Sequence, residues 1–345
     1  MRKPSTSIEY EFEFRPQAGE TVELLPGIRW SHLPLPFVLK HINTWVLDDG
    51  DQQVLVDTGL FTSVIRDIWE DLLARLPGGK PISRVLVTHL HPDHVGCAGW
   101  LCERLDADLY MTREEYLLCR VLVADTGQPA PEEGRRFYHA AGFSEQQLNR
   151  YVERFGSFGR VVSPLPQSYH RLYDGLELDI GDNRWKVIIG RGHSPEHACL
   201  FCKELNVLIS GDQVLPTISS NIGVWPTEPA ANPLEDWFCS LRHLAAVLPD
   251  DVLVLPSHGR PFRGVKHRLE ELITEHEDCL ARLRELCREP RRAIDVFPVL
   301  FRGEVNEINL IMAVNEAIAH LNYLQSEGEV SRDSDAHGVY WYQAA

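Results

Sequence analysis

Six consecutive residues, His89-Leu90-His91-Pro92-Asp93-His94, bring three imidazoles and a carboxylate into one short stretch. They follow the apolar run Val85-Leu-Val87, which reads as a strand, so side chains at 89, 91 and 93 can converge just past its end. Pro92 suits the first position of a helix that presents Asp93 and His94. Packing alone does not account for three histidines at this spacing, because each buried imidazole needs a polar partner of its own. Imidazole combined with carboxylate suits zinc, manganese or iron, and differs from the thiolate set of a structural zinc site.

Three further candidates each follow an apolar run. His193 comes after Val187-Ile-Ile189, Asp212 after Val207-Leu-Ile209, and His258 after Val252-Leu-Val-Leu255. Reactive groups in layered α/β proteins gather at strand ends, where rigid elements deliver them from distant parts of the chain. Asp57, in Val56-Asp-Thr-Gly59, is either a carboxylate that orients a ligand imidazole or a plain turn cap. His197, near the start of a strand, suits hydrogen-bonding support better than ligation. Asn221 and Trp225 follow the Asp212 loop and either line a pocket or pack that loop. His32, His41, His139, His170, His243 and the C-terminal histidines read as surface or packing residues, and Ser210 and Ser257 as turn residues beside the site.

The elements that must position these groups show in the patterning. Trp45-Val-Leu47 and Val54-Leu-Val56 read as paired strands turning at Asp48-Asp-Gly50. Val64 to Leu76 carries a helical apolar face closed by Pro77-Gly-Gly79. Residues 101–160 read as an inserted helical region, with Phe137 and Tyr138 in position to cover the cleft and Leu33-Pro-Leu-Pro-Phe37 as one of its walls. Strands are expected at 185–189, 198–201, 207–209 and 252–255, with a helix over 235–248. Residues 1–265 form the expected catalytic domain. Residues 266–345 form a smaller one, with helices over 265–287 and 308–324 and a hairpin turning at Asp335 to Gly338.

The net charge is −16, and from Lys266 onward nine lysines and arginines face fifteen acids. A basic stripe is what a nucleic-acid surface needs, so nucleic acid is not the expected partner. No apolar stretch approaches the ~20 residues of a membrane span and the N-terminus has no apolar leader core, so a cytoplasmic protein without membrane contact is expected. Eight cysteines are scattered in apolar settings and read as small buried hydrophobes; Cys199 and Cys202 lie within a strand.

Taken in order, the HxHxDH motif, a Gly-His, a Gly-Asp and a late His-Gly resemble the metallo-β-lactamase superfamily over roughly residues 20–265. The resemblance implies an α+β fold, a four-layer αββα sandwich, here with a small C-terminal winged-helix-like domain. It further implies that His89, His91 and His193 hold one divalent ion and Asp93, His94 and His258 a second, with Asp212 bridging. Zinc is the foremost expectation, with manganese and iron(II) as alternatives. Two such ions would lower the pKa of a shared water from ~15.7 toward ~7, giving a bridging hydroxide, with Asp93 as the catalytic group that aligns it and shuttles its proton. Hydrolysis of an ester, thioester or lactone on a small molecule is the leading expectation. A metal-dependent nuclease or phosphodiesterase and a mononuclear-iron persulfide-dioxygenase-like oxidoreductase are the alternatives. The segment Gln213 to Pro226 departs from the basic and aromatic signature of hydroxyacylglutathione hydrolases. The C-terminal domain is expected to shape the pocket or to form a homodimer.

Overall fold

A computed structural model describes residues 7–36, 39–76 and 79–345. Phe37, Pro77 and Gly78, which carried part of the cleft-wall and helix-closure expectations, lie outside the described residues.

Seven strands form one mixed sheet in chain order: β1 (Thr21–Leu25), β2 (Ile28–Pro34), β3 (His41–Asp49), β4 (Gln52–Val56), β5 (Ile82–Leu86), β6 (Asp108–Thr112) and β7 (His170–Leu172). Its first four strands pair antiparallel and the rest parallel. A second sheet has the order β12-β11-β10-β9-β8, from β8 (Glu177–Ile180), β9 (Asn183–Gly190), β10 (His197–Cys202), β11 (Val207–Gly211) and β12 (Leu253–Pro256).

Period-two alternation explains how the sheets stack. Trp45, Leu47, Val54 and Val56 point to one face and meet Trp185, Val187, Val207, Ile209 and Leu255 of the second sheet. The intervening Val46 and Leu55 point outward to α1 (Ser63–Arg75) and its neighbours. Trp30 and Trp45 stack at 5.9 Å in the inter-sheet core. Burying each such aromatic adds roughly 1.5–3 kcal/mol. Leu208 and Val254 face the other way, onto α7 (Pro233–Val247) through Trp237 and Leu241. The result is the expected four-layer αββα sandwich.

Two short helices, α2 (Pro92–Val95) and α3 (Ala98–Leu105), follow β5. The stretch expected as one helical insertion therefore contains β6, a strand inside the larger sheet. Its five residues lie directly between amphipathic helices with no Gly or Pro to mark them. The helical excursion proper is α4 (Arg113–Ala124), α5 (Glu132–Ala140) and α6 (Glu145–Arg154). Tyr138 does not cover a cleft, because it is buried in a core with Phe143 and Tyr151. Leu33 and Leu35 likewise belong to the core and not to a cleft wall.

The tail consists of α8 (Val265–Leu286), α9 (Phe297–Leu300) and α10 (Leu310–Ser326), then β13 (Val330–Ser334) and β14 (Tyr340–Ala344) in a hairpin. Leu269, Leu283, Ala317 and Tyr342 share one apolar core with Trp237 and Leu208. The small C-terminal domain is thus packed against the sandwich through continuous side-chain contact. Among the described residues no helix is long and apolar enough to cross a membrane.

Candidate metal centre

Five strand ends converge. Asp57 follows β4, His89 follows β5, His193 follows β9, Asp212 follows β11 and His258 follows β12, while α2 carries Asp93 and His94. Pro92 sits at the start of α2, so its missing N–H costs nothing there. Gly211, at φ +52°, lies where a Cβ would come within 2.4 Å of the His197 ring. Gly192, at φ +102°, leaves no room for a Cβ beside Trp237. Glycine at these two positions lets the Asp212 and His193 loops turn sharply into the centre.

The seven side chains come together in three overlapping groups: His89, His91 and His193; His89, His94 and Asp212; Asp93, His94 and His258. His94 Nε2 is 3.5 Å from Asp212 Oδ1, as is His258 Nε2. His258 Nε2 is 3.4 Å from Asp93 Oδ2, and His193 Nε2 is 3.7 Å from Asp212 Oδ2. Such spacings are long for hydrogen bonds, yet two ligands on one tetrahedral ion with ~2.1 Å bonds sit about 3.4 Å apart. His94 Nε2, His193 Nε2, His258 Nε2 and Asp212 Oδ1 are buried and make no hydrogen bond. Four orphaned acceptors or donors aimed at one point are costly unless a cation completes them. The residues present fit a metal ion.

The opposite ring nitrogens are all engaged. His94 Nδ1 donates to Asp57 Oδ2 at 2.8 Å, His193 Nδ1 to the Asn221 carbonyl at 2.7 Å, and His258 Nδ1 to the His41 carbonyl at 2.7 Å. Each bond places a proton on Nδ1 and leaves Nε2 for the centre. Asp57 also accepts from Thr88 N at 2.8 Å and Thr88 Oγ1 at 2.9 Å, so its turn position and its contact with His94 coexist. His197 stands behind the centre: its Nε2 accepts from Asp212 N at 3.0 Å and its ring stacks on His89.

Charge is balanced inside this cluster. Burial opposes protonation of His94, yet Asp212, Asp93 and Asp57 raise it well above the usual histidine value. Burial likewise opposes the His258 cation, but Asp212 and Asp93 lift it to about 10. Asp212, though buried, is pulled well below the carboxylate range by His258 and His94. His91, buried beside His193, falls to about 3.

Several contributors carry no motif. Glu115 on α4 is fully buried, and its two oxygens accept from Leu90 N at 2.9 Å and Glu196 N at 2.8 Å, tying the HxHxDH loop to the His193 loop. Burial pushes its carboxyl up to about 7. Asn43 donates to the carbonyls of Pro256 and Gly259, bracing the His258 loop. His41, expected as a surface or packing residue, lies with its ring tilted against His32 at 4.3 Å, and its carbonyl holds His258. His276 and His320 form a buried pair joined at 3.1 Å. The Asn221 side chain donates to Glu316 Oε2 at 2.6 Å, and Trp225 is half exposed. Six cysteines are buried, while Cys279 is half buried and Cys239 exposed.

Known proteins resemble this chain in sequence and fold. Residues 38–258 match the Metallo-beta-lactamase superfamily and residues 280–345 the Metallo-beta-lactamase-like, C-terminal domain. The chain is 25% identical over 320 residues to the probable metallo-hydrolase YqjP of Bacillus subtilis, covering 90% of this chain and 95% of that protein. A beta-lactamase domain protein from Burkholderia ambifaria superposes with a TM-score of 0.90 at 39% identity, covering 98% of each chain. A metallo-beta-lactamase family protein from Thermus thermophilus does so at 0.78 and 31% identity, covering 94% of this chain and all of that one. With the sandwich, the strand-end cluster and these matches together, the chain belongs to the metallo-beta-lactamase superfamily.

Proposed function

We propose that this protein is a metal-dependent hydrolase holding two divalent ions, zinc foremost, that cleaves an ester, thioester or lactone in a small molecule. The observation that carries the reading is the set of buried Nε2 and carboxylate atoms without partners, brought to a common centre from four strand ends. His89, His91 and His193 would hold one ion, Asp93, His94 and His258 the other, and Asp212 would face both. Bound there, such ions supply Lewis acidity and make a water available as hydroxide near neutral pH.

The chain's own groups supply the rest. The Asp93 carboxylate is 16% exposed, against 10% for Asp212 and 1% for Asp57, so it is the acid that reaches the substrate side. It aligns the attacking water and carries a proton to the leaving oxygen or sulfur. Asp57 and His197 keep their imidazole and backbone partners oriented. The acidic C-terminal domain and the absence of a basic stripe favour a carbonyl substrate over nucleic acid.

A panel of thioesters, lactones, phosphodiesters and RNA, run on protein of measured metal content, tests the bond class. The His91→Ala variant should lose turnover and metal while keeping its fold. Wild-type metal content and activity in that variant would remove His91 from the site, and turnover confined to phosphodiesters or RNA would replace the carbonyl reading.

A further inference from the structure

The carbonyl that orients His193 belongs to Asn221, and Asn221 lies in a segment, residues 212–232, with no helix or strand of its own. Without ladder bonds, such a segment holds an atom in place only through what grips it. The grip comes from the C-terminal helices. Arg268 of α8, buried, donates to the carbonyls of Leu215 at 2.8 Å and Ile218 at 3.0 Å. His320 Nδ1 faces the Glu316 carbonyl at 2.8 Å and so carries the proton. Its Nε2 therefore accepts from His276 Nδ1, which leaves His276 Nε2 to accept from Ser219 Oγ at 2.9 Å. Nearest the centre, Glu316 of α10 takes the Asn221 side-chain amide at 2.6 Å.

We propose that Glu316 is a positioning residue for the metal centre: by holding Asn221, it fixes the Nδ1-protonated tautomer and ring orientation of His193. Helices of the C-terminal domain thereby take part in building a site whose ligands all come from the sandwich. Partners one shell behind a ligand typically govern its metal affinity by 10–100-fold. Glu316 acts through one intermediate residue and touches neither the ligand nor a substrate. The inference rests on the metal-hydrolase reading for its consequence, although the tautomer it predicts exists in metal-free protein.

Two measurements on the full chain test it. In metal-free protein, the ring-nitrogen shifts of His193 report the tautomer. Competition with a chromophoric chelator reports zinc affinity. Glu316→Ala should mix the tautomers and weaken zinc binding by up to about 10-fold, the low end for loss of a direct partner. Glu316→Gln, whose Oε1 still accepts from the Asn221 amide, should restore both. Asn221→Ala keeps the backbone carbonyl but removes the tie, so it should reproduce the Glu316→Ala effect, and the two together should cost no more than either alone. Unchanged shifts and affinity in Asn221→Ala and Glu316→Ala overturn the inference while leaving the hydrolase reading standing. Altered shifts in a protein that takes up neither zinc, manganese nor iron(II) even as wild type support the inference and overturn that reading.

Discussion

Replacing Asp57 with asparagine changes the supporting frame of His94 with almost no change of shape. Asp57 sits at φ +61° and is 1% exposed, a left-handed conformation that asparagine also tolerates, so backbone strain is not introduced. What changes is the hydrogen-bond pattern. The carboxylate receives three short bonds, from Thr88 N, Thr88 Oγ1 and His94 Nδ1, and an amide offers one acceptor in place of two. If the amide oxygen stays on Thr88 N, the NH2 faces His94 Nδ1 and drives the imidazole proton to Nε2, the atom that must be bare for a metal. If the amide turns over, a buried backbone N–H is orphaned instead. A bond to a charged acceptor contributes roughly 1.5–3 kcal/mol and a neutral one roughly 0.5–1.5, so three downgraded bonds cost about 3 kcal/mol. Metal affinity should fall by about 10–100-fold, as expected when a carboxylate behind a ligand imidazole is lost. Urea unfolding of chelated protein measures the first quantity and competition with a chelator the second. An Asp57→Asn protein within about 0.5 kcal/mol of wild type that binds zinc as tightly would refute the assigned role.

Glu115 gives a pH signature. Its carboxyl is raised to about 7 by burial, against an ordinary value of 4.5. A raised acid is stabilising below the unfolded value, and that stability is lost as pH climbs through the folded value. Wild type should therefore lose about 3 kcal/mol relative to Glu115→Gln between pH 4.5 and 7.5, and a constant difference across denaturation series would remove the burial argument. Metal uptake should release protons, because His94 and His258 are both held protonated near neutral pH in the bare cluster. Calorimetry in buffers of different ionisation enthalpy should find about two per centre at pH 7, and none would mean the carboxylates do not hold those protons.

Order along the chain determined a great deal about this protein. A strand's reach is local, so an apolar run followed by His, Asp or Gly-His announces a strand end that can deliver a ligand. His89, His193, Asp212 and His258 could be picked out in that way, and unbroken apolar runs such as Val207-Leu-Ile209 predicted strands. The helices of the tail and its hairpin followed from 3.6-residue stripes and turn chemistry. The strands β1, β6, β7 and β8 escaped because they are short or partly exposed, and β2 because Arg29, Ser31 and His32 interrupt its apolar residues although the strand is mostly buried.

Only the tertiary structure decided which groups support the centre. Asn43 meets Pro256 across 213 residues of chain, and Glu115 meets Glu196 across 81. Glu316 reaches Asn221 from a mostly apolar, largely buried helix whose pattern announces packing and not a site. A single carboxylate or amide acting through one hydrogen bond leaves no periodicity and no motif behind. Its meaning depends on which backbone atom the fold brings within 3 Å, and that distance exists only once the sheets and the C-terminal helices have packed.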